Sequence, residues 1–320
     1  MKKIVVFNVG GAMSCFMELE GKRIIVDLGC SPDFSPVNDF LLVLASRGKL
    51  SRSNQNGKYF IDQLFLSHLD DDHISSYESF SEKFHPIFMT CPNDNEKQNP
   101  EFKVNRDLLG TLNRTKEMIL RDMSFPNRTP IKENNPHGMS DTNPLVPTIE
   151  GINLFYIKPS TCEVYEALKE SYANNISLVI LVKSNNKTVL LPGDIMTSGM
   201  DFLIENNSGI RTLLSQTGID YLVAPHHGLQ TAFSEKLFQT ILGKKTRLNI
   251  ISEKPRTPGV DDNRTAVDTR YYSSDYSNGI NTLGQNAVKT SGGHIVIDLE
   301  LSEAEVKQYT DIDDVINEFI

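Results

Sequence analysis

Three hydrophobic runs in this chain each stop at side chains of the metal-ligating kind, and that recurrence constrains the fold more than any other feature. The run IDQLFLS, residues 61–67, leads directly into His68-Leu69-Asp70-Asp71-Asp72-His73. VLLPGDI ends at Asp194 beside a Gly turn, and VAPHHG ends at the pair His226-His227. A nearly continuous apolar run of this length suits a strand covered on both faces. Strand ends are also where α/β proteins assemble their sites. Residues i and i+2 of a strand point the same way, so His68 and Asp70 can converge on one point. Asp72 and His73, at a loop-to-helix junction, can face a second point close by. Each point then has one nitrogen and one oxygen donor, as two metal ions would need.

The rest of the chain reads as an α/β protein. Residues 3–27 form three short strands, the second pair a hairpin about a Glu20-Gly21 turn. PIFMT (86–90), INLFYIKP (152–159), RLNIIS (247–252) and HIVIDLE (294–300) read as further strands, and residues 176–194 as two strands about an SNNK turn. Helices are expected near 104–120, 162–172 and 234–242. The chain is expected to form a single domain over residues 1–320. A polar, Asn- and Pro-rich insertion interrupts it at about 91–150, and an acidic helical tail closes it at about 301–320. Two helix starts are expected in that tail, Ser302 with Glu305 and Thr310 with Asp313. Ile312, Val315, Ile316 and Phe319 share one helical face, which either docks on the protein's own sheet or holds a partner.

Composition excludes some functions. Of the 320 residues, 39% are hydrophobic, enough for a sizeable core, yet no run approaches the ~20 apolar residues of a membrane helix. The start, MKKIVVFNVGGAMS, mimics a signal peptide, but its apolar stretch is short and runs into strand-like alternation, so a cytoplasmic protein without membrane association is expected. A net charge of −9 argues against sequence-blind binding of duplex DNA over the whole surface. The four cysteines, Cys15, Cys30, Cys91 and Cys162, lack CxxC spacing and read as free thiols in a reducing compartment.

The order of these motifs resembles the metallo-β-lactamase superfamily. His68-Leu69-Asp70-Asp71-Asp72-His73 stands where that superfamily has HxHxDH, with Asp at the second ligand position. This variant, preceded by "LS", is similar to the hydrolase domain of ComEC-type DNA-internalisation competence proteins. So are FNVGGAMSCFMELEGKRIIVDLG, NNISLVILV, VLLPGDI and VAPHHG, in the same order. The resemblance covers about residues 3–90 and 152–300, and the membrane-channel part of those proteins has no counterpart here. It implies an αββα four-layer sandwich with a dinuclear centre of two divalent ions, Zn²⁺ or Mn²⁺. His68 and Asp70 would hold one ion and Asp72 with His73 the second, with Asp194 bridging and His226 as the late histidine ligand. The middle histidine of the family is replaced by the region Asn174-Asn175-Ile176-Ser177. Asp70 makes the first site richer in oxygen, which shifts preference toward Mn²⁺.

Other residues take supporting places. Asp71 is the spacer between two ligands. Asp27, a strand-end acid, is expected to support the ligand loops. Asp72 and His227 are the candidate catalytic side chains, with His227 open between contacting substrate and packing. Asn175, Ser177, His227, His294, Lys254 and Arg256 are candidate substrate contacts. The last two belong to a mildly basic stretch, 244–270, that could hold phosphates or be ordinary surface.

The favoured expectation is a phosphodiesterase or nuclease acting on nucleic acid or nucleotides. A hydrolase of carboxyl esters, lactones, lactams or thioesters is the alternative, favoured by a cleft without Arg or Lys. A third reading is a non-catalytic module that binds a protein partner through the insertion or the C-terminal helix.

Overall fold

The computed structural model describes residues 1–54, 56–94, 103–123, 149–253, 266–300 and 305–320. Its strands, in chain order, begin with β1 (Lys2–Val6), β2 (Ser14–Leu19), β3 (Lys22–Leu28), β4 (Tyr59–Phe65) and β5 (Phe84–Thr90). Next come β6 (Ile152–Phe155), β7 (Val179–Ser184), β8 (Lys187–Leu191), β9 (Tyr221–Val223), β10 (Leu248–Ile251) and β11 (Ala287–Lys289). β12 (His294–Asp298) and β13 (Glu305–Tyr309) complete the set. They form two sheets, one ordered β13-β12-β1-β2-β3-β4-β5 and the other β11-β10-β9-β8-β7-β6. Pairing is parallel along β3-β4-β5 and along β8-β9-β10-β11, and antiparallel elsewhere.

Side-chain parity sorts the strands into layers, because successive residues of a strand face opposite sides. Ile4, Val6, Met17, Ile24 and Val26 of the first sheet meet Ile180, Val182, Val189, Leu191, Tyr221 and Ile250 of the second in one buried cluster. The alternate residues, Val5, Phe16, Ile25, Leu181, Leu190 and Leu222, turn outward into a second cluster with helical side chains such as Phe40, Tyr77, Leu203, Leu214 and Val315. The protein is therefore an αββα four-layer sandwich. Both sheets are covered on both faces, which explains why several strands read as unbroken apolar runs.

Several elements differ from the sequence reading. Residues 305–309 form β13, an edge strand paired to β12, not a helix, because cross-strand pairing with residues 294–298 uses their backbone groups. Among the described residues of the tail, Ile312–Asn317 is helical, and its N-cap is Asp311, which accepts from the Asp313 N–H. Its apolar face packs on the protein's own core, where the Phe319 ring meets Phe16 and Phe40 at centroid distances of 5.3 and 5.7 Å. The helix expected at 104–120 starts only at Arg114, because Gly110 turns the chain with φ +68° and Asn113 caps the new start. The single helix expected at 162–172 is three short ones, Pro159–Val164, Glu166–Lys169 and Tyr172–Asn175. The described part of the insertion is not a polar excursion: Val104, Leu109, Ile119, Leu120 and Met123 are buried in the core.

All four cysteines are free, and three of them are buried. Among the described residues, no helix is long and apolar enough to cross a membrane.

Candidate metal centre

The C-terminal ends of β3, β4, β8, β9 and β10 come to one edge of the sandwich. From β3, Asp27 takes left-handed backbone (φ 60°) and is buried to 1% exposure. Its carboxylate accepts from the Ser67 backbone N–H at 2.7 Å, from Ser67 Oγ at 2.7 Å and from His73 Nδ1 at 2.8 Å. Since the Ser67 hydroxyl donates to Asp27, it accepts from His68 Nδ1 at 3.0 Å. One strand-end acid thus orients both histidines of the 68–73 loop with their Nε2 atoms turned the other way. The fit around it is tight. A methyl group at Gly29 would stand 2.3 Å from the Asp72 carbonyl oxygen and 2.5 Å from that of Met13.

From β8 the chain turns at Gly193 (φ +59°) and presents Asp194, whose N–H donates to Ser177 Oγ at 3.2 Å. From β9 it passes through three left-handed residues in succession, His226, His227 and Gly228, at φ 47°, 57° and 76°. Two adjacent non-glycine residues in that region store strain of about 1–2 kcal/mol each, which surrounding structure must hold in place. His227 Nδ1 is held by the Ser252 carbonyl at 2.9 Å, at the end of β10. Its Nε2 therefore also points into the site.

Three buried imidazoles, with the more exposed His226 beside them, converge on one carboxylate. His73 Nε2 lies 3.1 Å from Asp194 Oδ1, and His227 Nε2 lies 3.7 Å from Asp194 Oδ2 and 3.3 Å from Asp72 Oδ2. His68 Nε2 stands 3.9 Å from Asp194 Oδ2 and 3.7 Å from Asp70 Oδ2. The Nε2 atoms of His68, His73 and His227 are buried, and among the described residues they face the carboxylates of Asp70, Asp72 and Asp194. Donors of a tetrahedral ion with bonds near 2.1 Å stand about 3.4 Å apart. The His73–Asp194, His227–Asp72 and His227–Asp194 spacings bracket that value, and the ligand atoms of Asp72, His73 and His227 lie within 4.8 Å of one another, so they form one group able to take a divalent ion with Asp194 beside it. His68, His73 and Asp194 form a second convergent group.

The electrostatics follow from the crowding. Burial opposes a charge on Asp194, but His73 and His227 outweigh it and hold its pKa well below the usual carboxylate value. Burial likewise opposes protonation of His73, and Asp194 and Asp27 outweigh it, so its pKa is held well above the histidine value. Burial, then the neighbouring His73, pushes His68 down. For Asp72, burial is outweighed by the hydrogen bond to His227, and its pKa is lowered. A site that retains protons on buried imidazoles by this means offers the same attraction to a cation.

Beside Asp72 lies a cavity of about 920 Å³. Its wall carries Asp33, Asp71, Asp72 and Asp311, together with His294 and Phe34, and no Lys or Arg among the described residues. His294 accepts from the Asn8 N–H through Nδ1 at 3.1 Å, and burial pushes its pKa down to about 4.

The residues singled out from the sequence divide as follows. His68, Asp72, His73 and Asp194 come together with Asp27 behind them. His227, not His226, is the inner member of its pair: its side chain is 1% exposed against 22%, and it is the one that reaches Asp72. His226 Nε2 stands 3.7 Å from Asp194 Oδ2, at the rim. Neighbours on a strand alternate faces, but consecutive left-handed residues do not follow that rule, and only the fold decides which of the two turns inward.

Asn175 and Ser177 do not offer a surface to substrate. Both are fully buried. Asn175 donates to the Leu168 carbonyl and accepts from the Met196 N–H, while Ser177 supports Asp194. Lys254 and Arg256 lie outside the described residues. Elsewhere in the basic stretch, Arg247 pairs with Asp220 at 2.9 Å, and Arg270 with Asp268 at 2.7 Å and Glu235 at 3.1 Å. The sequence reading missed Lys116, whose ammonium approaches Asp70 from the insertion at 3.7 Å. It lies 46 residues downstream in a polar segment, and no local pattern connects the two.

No family model matches the chain, and no curated protein matches it. Among solved structures it is similar to Igni18, described as a metallo hydrolase from the archaeon Ignicoccus hospitalis, at 11% identity and a TM-score of 0.44, covering 96% of this chain and 99% of that one. It is also similar to the metallo-beta-lactamase fold protein YhfI from Bacillus subtilis, at 12% identity and a TM-score of 0.39, over 82% and 90% of the two chains. A diphosphatase from the PhnP family shares 12% identity over 78% of this chain and 86% of that one, with a TM-score of 0.37.

Proposed function

We propose that the protein is a metal-dependent hydrolase in which Asp72, His73, Asp194 and His227 hold a divalent ion beside the 920 Å³ cavity. The observation that carries this reading is the convergence of three buried Nε2 atoms on the Asp194 carboxylate, with Asp72 beside it. Crowding three imidazoles and two carboxylates into a buried site costs desolvation free energy, so a fold that does so has a use for them as ligands. When bound, a divalent ion supplies a hydroxide nucleophile near neutral pH and polarises the scissile group. Two oxygen and two nitrogen donors suit Zn²⁺ or Mn²⁺.

The chain's own residues do the positioning. Asp27 and the Ser252 carbonyl fix which imidazole nitrogen of His73 and of His227 carries hydrogen. His226, at the rim and partly exposed, stands where a substrate group beside Asp194 would be.

For the bond cleaved, phosphodiester hydrolysis in a nucleotide or flexible single strand is our first reading. It rests on the resemblance to ComEC-type hydrolase domains and on Asp70 at the second motif position. A specific observation favours a second reading, hydrolysis of an uncharged ester, lactone, lactam or thioester: the described cavity wall has four aspartates and no cationic side chain. Such a wall repels a polyanion, and a bound cation offsets only part of that field.

The test is an assay of metal-reconstituted protein with Mn²⁺ and with Zn²⁺ on bis-(p-nitrophenyl) phosphate and on p-nitrophenyl acetate, with Asp194→Ala as control. Phosphodiester turnover lost in the variant supports the first reading, and ester turnover alone the second. A protein that binds no divalent ion sinks both and leaves the partner-binding module.

A further inference from the structure

The geometry points to Lys116 as a built-in cation that engages Asp70 and leaves the centre with one metal ion rather than two. This rests on the metal-dependent reading above. Lys116 belongs to the Arg114–Asp122 helix of the insertion, and its side chain is 7% exposed. Its ammonium donates to the Leu109 carbonyl at 3.1 Å and faces Asp70 Oδ1 at 3.7 Å. A buried ammonium needs a carboxylate partner, since desolvation otherwise costs several kcal/mol. Asp70 fills that need.

The same carboxylate is the one a second ion would require. On the His68 side the candidate donors are His68, Asp70 and Asp194, with His73 shared between the two groups, and His68 Nε2 stands 3.7 and 3.9 Å from the Asp70 and Asp194 carboxylates. In the Asn174–Ser177 region the Asn175 amide and the Ser177 hydroxyl are committed elsewhere. An ion there would also face the Lys116 ammonium across Asp70, and like charges at that range repel.

The helix is not free to swing away. Asn113 Nδ2 donates to Asp71 Oδ1 at 2.6 Å, Thr115 Oγ1 donates to Glu78 Oε1 at 3.2 Å, and Tyr77 donates to Asp122 Oδ2 at 2.8 Å. These bonds clamp it to the 71–83 region directly after the ligand loop. The insertion thereby completes the site with a charge that the strand ends do not provide.

Metal content of the full chain, measured after equilibrium dialysis against Mn²⁺ or Zn²⁺, tests this without reference to activity. The expected result is one ion per wild-type chain, and a second ion in Lys116→Met at the same free metal concentration. Two ions in the wild type, or a folded Lys116→Met that still holds one, would overturn it. Should Lys116→Met fail to fold, Asp70→Asn decides the matter. The proposal expects that variant to keep the single ion within about twofold of the wild-type affinity. A tenfold or greater loss makes Asp70 a ligand and overturns it. A wild-type chain that binds no ion defeats the hydrolase reading itself, an outcome distinct from a count of two.

Discussion

His227 Nε2 stands 3.3 Å from Asp72 Oδ2, joining the end of β9 to the loop that follows β4 in the other sheet. On the proposed metal-dependent reading, this contact gives the two adjacent histidines different tasks. His227→Ala is expected to lower divalent-ion affinity by at least the about 10–100-fold that losing an outer partner of a ligand costs. His226→Ala is expected to retain the ion and to change KM or kcat instead. Isothermal titration with Mn²⁺ or Zn²⁺ on both variants checks the contrast, and equal losses of affinity would refute it.

Asp27 holds His73 and Ser67 together, so Asp27→Asn removes the acceptor that fixes the His73 ring. Metal affinity is expected to fall about 10–100-fold. Asn keeps the shape of Asp, so the loss should exceed any drop in overall secondary structure. Circular dichroism alongside the titration separates the two.

Gly29→Ala places a methyl group where the Asp72 and Met13 carbonyls already stand, 2.3 and 2.5 Å away. Overpacking of this kind costs about 1–3 kcal/mol. Because the displaced backbone includes Asp72, metal binding should weaken in the same variant. A urea melt and a metal titration give both numbers.

His294 should titrate near pH 4 in the folded protein, below its usual 6.5, because burial disfavours the charged ring and its Nδ1 accepts from Asn8. Between pH 6.5 and about 4 the unfolded chain binds a proton that the native state refuses, so stability falls as pH falls through that window. NMR titration of the ring reads the midpoint. In His294→Gln the same portion of the pH dependence should be missing from denaturant melts.

The C-terminal helix is part of the core rather than a free docking element. Phe319→Ala is expected to cost about 3–5 kcal/mol by leaving a cavity against Phe16 and Phe40. Val164, 79% exposed, serves as the control, with Val164→Ala expected within about 0.5 kcal/mol of wild type in the same urea melts.

Much of the fold was legible because strands covered on both faces carry unbroken apolar stretches, as 64–66, 178–182 and 189–191 do. The edge strand β13 was not legible. Ser302 with Glu305 reads as a helix start, and pairing with β12 is a contact with residues 294–298 that local sequence does not contain. The break at Gly110 was likewise hidden, since glycine is tolerated in a helix unless the chain must turn there.

The sequence by itself determined that His68, Asp72, His73 and Asp194 sit at strand ends with ligand-type chemistry, since short-range periodicity and apolar runs set those positions. Only the tertiary structure decided that His227 rather than His226 turns inward, because left-handed backbone at both residues removes the alternation from which orientation could be read. It also decided that Asn175 and Ser177 are interior supports and that Lys116 reaches Asp70. Those outcomes depend on which distant surfaces pack together, and packing is a property of the whole chain, not of any window along it.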